Sequence, residues 1–359
     1  MVIDVAHVNV ARGYRGGERQ TELLIRELAR AGLRQALVAR RGGALARRVA
    51  DIGVEIRAVS GTLWSVTAAT RNAQLVHVHE GRSVYAAYLR SLLSGTPYIV
   101  TRRVNNPIGD HRFAHLAYRR ASYVAAVAPQ VADVVRAWDP QVRVTVVHSG
   151  SSGFVVDAAA AAAIRAGFAG KFVVGHVGAL DNAQKGQEHI INTARALEPS
   201  HPDVQFVLVG GGHDEAMLRE TARGLRNVTF VGFVDNVADY LAAFDVFVLP
   251  SNREGIGSIL FDAMDRSLPI VASRVGGVPD IVHDGVNGIL IDPARPDQLR
   301  AAVLRLRADA DLRRRLGANG YEQAKGFTAG AMAEKYLAFY RAVGAALPGR
   351  ASSDAPGEP

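Results

Sequence analysis

Val246-Phe-Val-Leu-Pro250-Ser-Asn-Arg-Glu254-Gly-Ile-Gly-Ser258-Ile-Leu-Phe-Asp262-Ala-Met264 reads as a buried strand, a tight turn and the opening of a helix. The run Val246–Leu249 shows no polar alternation, as expected of a parallel strand covered on both faces. Glu254 falls at the turn, and Gly255 and Gly257 let a ligand come close to the backbone. Ser258 stands as an N-cap, so amides near Ser258 and Ile259 would face an anion. Asp262 follows eight residues after Glu254, with its carboxylate expected near the same mouth. Two carboxylates there suit the hydroxyls of a sugar and a ribose, although a capping acid plus an exposed helix Asp fits the same spacing.

Units of the same kind flank this one. Upstream are the strands Phe172–Val177, Gln205–Val209 and Val228–Phe230; downstream are Ile270–Ala272 and Gly288–Ile291. Val271-Ala-Ser-Arg-Val-Gly276-Gly277-Val-Pro279-Asp280 is a further strand-to-turn unit, with Pro279 suited to a first helical turn. The first half repeats the alternation with strands Val2–Val8, Gln35–Ala39, Leu75–Val78, Tyr98–Thr101, Tyr123–Val127 and Val142–Val147. Helical stretches lie between them, such as Glu18–Ala31 with Leu23, Leu24 and Leu28 on one face. The pattern predicts two α/β lobes with parallel sheets. We place the first lobe at 1–155, a linker at 156–170, the second lobe at 171–330, a closing amphipathic helix at 331–347 and a disordered tail at 348–359. A ligand between the lobes would sit outside the carboxyl ends of the strands.

The 359 residues suit two cores rather than one, and 48% apolar with 21% charged residues describes a globular chain. No cysteine occurs, which removes disulfides and thiolate metal sites and fits a reducing cytoplasm. Met1–Val10 reads as a first strand rather than a signal peptide. No stretch approaches the roughly 18 apolar residues that span a bilayer. Residues 1–150 carry 21 Arg, no Lys and 10 acids, a net charge of +11, whereas the remainder nets −3. So uneven a field favours an anionic partner for the first half: a phosphorylated acceptor, a membrane surface or nucleic acid.

Three smaller features bear on chemistry. Gly13-Tyr-Arg-Gly16-Gly17-Glu18 opens a helix after the first strand, where backbone amides can meet a phosphate; an ordinary flexible turn has the same composition. It is neither a dinucleotide fingerprint nor a P-loop. The second strand ends in Ala39-Arg40-Arg41 with no acid for a ribose diol, which disfavours NAD and leaves an NADP-dependent oxidoreductase as a third reading. Lys185-Gly186 lies past the strand Phe172–Val177, where an ammonium could neutralise a departing diphosphate. His79, in Val78-His79-Glu80-Gly81, ends a strand toward the cleft and is the best acceptor-side histidine. His7 and His77 read as partly buried strand residues, and His111 and His115 as surface residues at helical spacing.

Together these residues resemble glycosyltransferase family 4, a retaining family with the GT-B fold: α/β, with two Rossmann-like lobes whose parallel sheets face each other across a cleft. The resemblance spans nearly the whole chain and is strongest from Gly175 to Pro293. Its hallmark, two Glu separated by seven residues, appears as Glu254-Gly-Ile-Gly-Ser-Ile-Leu-Phe-Asp262-Ala. It is supported by Gly-Gly-Val-Pro-Asp at 276–280 and Asp-Gly-Val-Asn-Gly at 284–288. The resemblance implies that Glu254 and Lys185 take part in catalysis; His79, from its place at the cleft, and Arg103, from its place where the family's histidine is replaced, are counted as catalytic candidates with them. It implies a donor site of Gly16, Gly17, Gly178, Lys185, Phe233, Glu254, Gly255, Ile256, Gly257, Ser258, Ile259 and Asp262. Phe230-Val-Gly-Phe-Val234 would cradle the nucleobase, Asp262 would bind the ribose, Lys185 the diphosphate, and the last helix would pack back on the first lobe. Acceptor candidates are Arg15, Glu80, Arg102, Arg103 and His111. The family works with retention and without a bound metal, and no cofactor is expected beyond the nucleotide-diphosphate sugar.

Three positions depart from the family pattern. Asp262 is one methylene shorter than the usual Glu. Ala179 replaces the usual Arg after the glycine, leaving Lys185 without its normal cationic partner. Thr101-Arg102-Arg103 stands where a histidine often follows the Thr, and Arg103, Arg102 or Arg15 could supply the missing charge or clamp an acceptor phosphate. The implied partners are a nucleotide-sugar donor and an anionic glycan or lipid acceptor, in cell-envelope polysaccharide or lipopolysaccharide-type synthesis. No nucleic acid is expected. The implied location is the cytoplasm, with a peripheral seat at the inner membrane face through the basic lobe. The competing reading is a non-catalytic nucleotide-sugar-binding subunit or regulator with a degenerate site.

Overall fold

The computed structural model describes residues 3–344. The expected tail at 348–359, and residues 345–347 of the expected closing helix, lie outside them. Two all-parallel sheets form, each strand joined to the next through helical connections. The first holds β1 (Ile3–Asn9), β2 (Gln35–Arg40), β3 (Glu55–Val59), β4 (Ala73–Val78), β5 (Tyr98–Arg102), β6 (Tyr123–Ala126) and β7 (Val144–Val146), in the order β3-β2-β1-β4-β5-β6-β7. The second holds β8 (Phe172–Val177), β9 (Val204–Val209), β10 (Val228–Gly232), β11 (Val246–Leu249), β12 (Ile270–Ser273) and β13 (Gly288–Ile291), in the order β10-β9-β8-β11-β12-β13. The sequence pattern missed β3. It is the edge strand, with Glu55 exposed and the Arg57 guanidinium bonded back to Glu55, so it lacks the apolar run that marked its neighbours.

The strand order reverses between β1 and β4 in one sheet and between β8 and β11 in the other. At such switch points the flanking connections diverge and open a crevice at the carboxyl ends. The central strands owe their stability to burial on both faces: every residue of β1, β9, β11 and β12 is buried. Asp4 in β1 is tolerated there because it accepts hydrogen bonds from the Arg34 amide (2.9 Å) and guanidinium (2.7 Å).

The last helix, Ala329–Ala342, begins at a Thr328 cap and packs on the first sheet. Its Met332, Ala333, Tyr336 and Tyr340 share one apolar cluster with Val5, Leu24, Leu75 and Ile99. Phe339 and Val343 of the same segment pack only at the margin of this cluster. Ala126–Ala128, Val131 and Ala132 of the first lobe join the core of the second, alongside Val177, Leu249 and Phe261. Gln20 clamps the connecting segment by donating to the Gly150 carbonyl (2.7 Å) and accepting from its amide (2.9 Å). No helix among the described residues is long and apolar enough to cross a membrane.

Candidate active site

The carboxyl ends of β8 and β11 bring Lys185 and Glu254 together. The Lys185 ammonium donates to Glu254 Oε1, which also accepts from the Ser251 hydroxyl at 2.9 Å. Glu254 is 4% exposed, so the ammonium serves as the counter-charge that burial requires. Both contacts fall on Oε1, and among the described residues Oε2 has no hydrogen-bond partner. That oxygen is available to a hydroxyl.

Glycines set how closely the chain can approach this pair. Gly276 has φ +53°, and a β-carbon there would lie 1.8 Å from the Glu254 carbonyl oxygen. The Gly277 amide donates to the Gly255 carbonyl at 2.8 Å. The loop bearing Glu254 is thus laid directly on the turn after β12. Ser258 occupies the expected cap position, but its side chain makes no cap bond, and the helix it precedes, Ile259–Met264, has six residues. So short a helix has a weak dipole, and charge stabilisation falls mainly to side chains.

The first lobe meets this loop. A β-carbon on Gly16 would lie 3.3 Å from Ser258 Oγ, and one on Gly17 would lie 3.4 Å from Arg103 Cδ. Arg15 forms an ion pair with Asp181 at 3.8 Å. Both partners border the same opening. Gly178 closes the floor: its amide donates to the Val209 carbonyl at 3.0 Å, and its own carbonyl allows no side chain on Gly210. Phe233 is 63% exposed beside Gly211.

Asp262 is engaged by the first lobe's connection. Its oxygens accept from the Ser152 amide (2.6 Å) and hydroxyl (3.1 Å), in the segment joining the lobes. Burial pushes its carboxyl up to about 7, against the two Ser152 bonds that pull it down. The contact expected with a ribose is therefore taken by the connector, which Arg19 also holds through the Ser152 carbonyl at 3.3 Å.

At the switch point of the first sheet, His7, His77 and His79 stack in the buried interior, with the rings of His77 and His79 4.0 Å apart. Their tautomers follow from the hydrogen bonds. Gln35 Nε2 donates to the Ile25 carbonyl (3.0 Å), which turns Oε1 toward His7 Nε2 (3.0 Å). His7 Nε2 must then carry the proton, leaving Nδ1 bare. His7 Nδ1 lies 3.0 Å from His79 Nε2, so His79 donates through Nε2. His79 Nδ1 is therefore a bare lone pair, and it is buried without a partner. Burial lowers His7 to about 4 and holds His79 well below its ordinary value, with the neighbouring histidines and Arg103 adding to the effect. His77 is committed to the Tyr340 hydroxyl (2.6 Å) and to Thr101 (2.7 Å), which in turn meets the Tyr336 hydroxyl (2.7 Å). The ring nitrogens come within 4.8 Å of one another, but these bonds occupy every one except His79 Nδ1, so the cluster reads as a proton-ordering network.

The acceptor candidates separate. Glu80 and His111 line a cavity of about 520 Å³ in the first lobe with Arg12, Arg40, Arg82 and Phe113. Glu80 accepts from the Arg82 amide at 2.9 Å, and His111 caps its own helix by accepting from the Ala114 amide at 3.1 Å. Arg102 turns away to the Asn106 carbonyl. Arg103 lies against the donor loop instead. His115 is not a free surface residue: it bonds Asp110 at 2.9 Å and also Asp139, and stacks on Trp138 at 4.2 Å. Sequence reasoning did not single out Gln35, Ser152 or Ser251. Only Gln35 left a signal, as an amide opening an otherwise apolar strand.

The model of the family described as Glycosyl transferases group 1 matches residues 171–309. The chain is 30% identical over 300 residues to an alpha-D-kanosaminyltransferase of Streptomyces kanamyceticus, covering 75% of this chain and 77% of that protein. It is also 30% identical over 315 residues to an alpha-maltose-1-phosphate synthase of Mycolicibacterium smegmatis, covering 76% and 80%. Among solved structures, that of Anabaena Alr3699/HepE in complex with UDP-glucose matches with a TM-score of 0.83 at 20% identity, over 94% of this chain and 99% of that one. That likeness carries the fold, the two-lobed GT-B arrangement.

Proposed function

The chain belongs to the group 1 glycosyl transferases, and from that premise we propose that it moves a sugar from a nucleotide-diphosphate donor to a glycan or lipid-linked acceptor, with retention and without a bound metal. The observation that carries this reading is the Lys185–Glu254 pair at the carboxyl ends of β8 and β11, opposite Gly16 and Gly17. The crystallised relative that binds UDP-glucose supports a nucleotide sugar as the donor class. Retention and metal independence are carried over from the family resemblance.

In this proposal Glu254 Oε2 receives a hydroxyl of the donor sugar. Lys185 meets the diphosphate as the bond from the anomeric carbon to the phosphate oxygen lengthens and negative charge collects there. The acceptor hydroxyl forms the new bond to that carbon. His79 Nδ1 accepts a hydrogen bond from it and so aims its oxygen. His79 is held too far below its ordinary value to keep the proton. A departing phosphate, with a second ionisation near about 6, is the stronger base and takes it. Glu80 and His111 sit at the acceptor cavity. There the guanidinium groups of Arg12, Arg40 and Arg82 form no ion pair among the described residues, which suits an anionic acceptor in cell-envelope synthesis.

The test is thermal stabilisation of the purified protein by a panel of uridine, guanosine and adenosine diphosphate sugars. At a hundredfold excess over Kd the true donor stabilises by about 2.7 kcal/mol. Glu254→Ala should then abolish transfer while the chain stays folded. A flat response to the whole panel, or unchanged turnover in the variant, sinks the proposal.

A further inference from the structure

Arg103 is a cation set between the lobes with no ion-pair partner among the described residues. Its Nε and Nη2 are out of contact with solvent and have no hydrogen-bond partner. Among the described residues no carboxylate lies within ion-pair distance of it. Glu18, the acid that acts on it through space, is bonded to the Arg15 amide at 2.9 Å. Burial lowers the guanidinium from its ordinary value, though no arginine gives up its proton within the range where proteins work. Two of its three guanidinium nitrogens are thus desolvated without a counter-charge, an arrangement that a bound anion completes.

Its position says which anion. The Arg103 side chain packs on Gly17, at the opening of the first lobe's glycine turn, and its carbonyl lies on Gly255, next to Glu254. Across the opening, the loop from Gly178 to Gly186 offers a single cation, Lys185. His79 offers one lone pair nearby, but a neutral imidazole cannot offset a full charge.

We infer that Arg103 grips the distal phosphate of the donor's diphosphate from the first-lobe side, so that the leaving group is held between Arg103 and Lys185. This rests on the donor reading above. It makes Arg103 a catalytic residue of the donor half and removes it from the acceptor set. Because the guanidinium comes from the opposite lobe, the second charge on the leaving group arrives only when the lobes are together.

The experiment is calorimetric titration of wild type, Arg103→Gln and Arg103→Lys with a nucleoside diphosphate and the matching monophosphate. UDP and UMP are used first, and the guanosine and adenosine pairs if wild type prefers them. Arg103→Gln is expected to weaken the diphosphate at least tenfold and the monophosphate less than twofold. Arg103→Lys, which keeps charge and most of the length, should lose only a few-fold and again only for the diphosphate; it carries the test should the Gln variant fail to fold. Unchanged diphosphate affinity, or equal weakening of both nucleotides, overturns the assignment. An intact diphosphate affinity with a raised acceptor KM would place Arg103 on the acceptor. If wild type itself binds no nucleoside diphosphate, the donor reading falls first and this inference with it.

Discussion

The carbonyl oxygen of Arg103 lies 1.9 Å from where a β-carbon on Gly255 would stand. First-lobe backbone thus rests on the donor loop at a distance that leaves room for a hydrogen and nothing larger. Gly255→Ala forces the lobes apart or displaces the loop carrying Glu254. We expect a loss of about 1–3 kcal/mol in stability, as for other overpacked sites, with a drop of tenfold or more in kcat/KM for the donor. Denaturation midpoints and steady-state rates measure both. A fully active alanine variant would show that the lobes need not meet here.

The Gln35–His7–His79 chain fixes which nitrogen of His79 is bare, and it does so from a residue remote from any substrate. Gln35→Leu frees His7 to move its proton, after which His79 can turn Nδ1 into a donor. The acceptor KM should rise about tenfold with nucleoside diphosphate affinity unchanged, whereas Gln35→Glu, which keeps an acceptor toward His7, should retain more activity. Equal losses in donor and acceptor parameters would mean that Gln35 matters only for packing.

Asp262 ties stability to pH in a particular direction. Burial raises its folded pKa to about 7 from an ordinary value of 3.8, so between those limits the folded chain holds more proton than the unfolded one. Stability from this group is complete at the acid end and declines as pH rises toward 7, by a few kcal/mol at most. Asp262→Asn can keep both Ser152 bonds without titrating. The Tm difference between wild type and Asp262→Asn should therefore shift against wild type from pH 5 to 7.5 and level off beyond. A constant difference across that range would contradict the raised value.

The first lobe exposes Trp64, Leu93 and Leu116 on neighbouring helices that also carry Arg112, Arg119 and Arg120. Apolar side chains among arginines suit an anionic lipid surface. Flotation with phosphatidylserine vesicles should recover the protein at low salt, lose it at high salt, and fail with phosphatidylcholine alone. Equal recovery on both lipids would rule out the electrostatic part.

Much of the fold was legible because strands such as β9 and β11 are largely apolar runs ended by glycine or proline. Lys185 and Glu254 were legible for a related reason: each lies in the loop that follows a strand, so its place near a carboxyl end needs little tertiary information. β3 was not, because an edge strand with Glu55 and Arg57 has no pattern to distinguish it from a loop. The employment of Asp262 by Ser152 depends on a contact between residues 110 positions apart. The tautomer of His79 likewise depends on an amide in another strand, and no local spacing encodes it.

Tyr336 and Tyr340 reach the Thr101–His77 end of that histidine network from the last helix. A ribosome delivers those hydroxyls only after the strands of both sheets. The nascent first lobe must therefore wait, with His77 unsatisfied and the Val5–Ile99 surface bare, while the whole second lobe is made. A chain stopped short of residue 330 would carry every residue of the proposed donor site and still present a sticky, unfinished half, a substrate for chaperones and proteases rather than an enzyme.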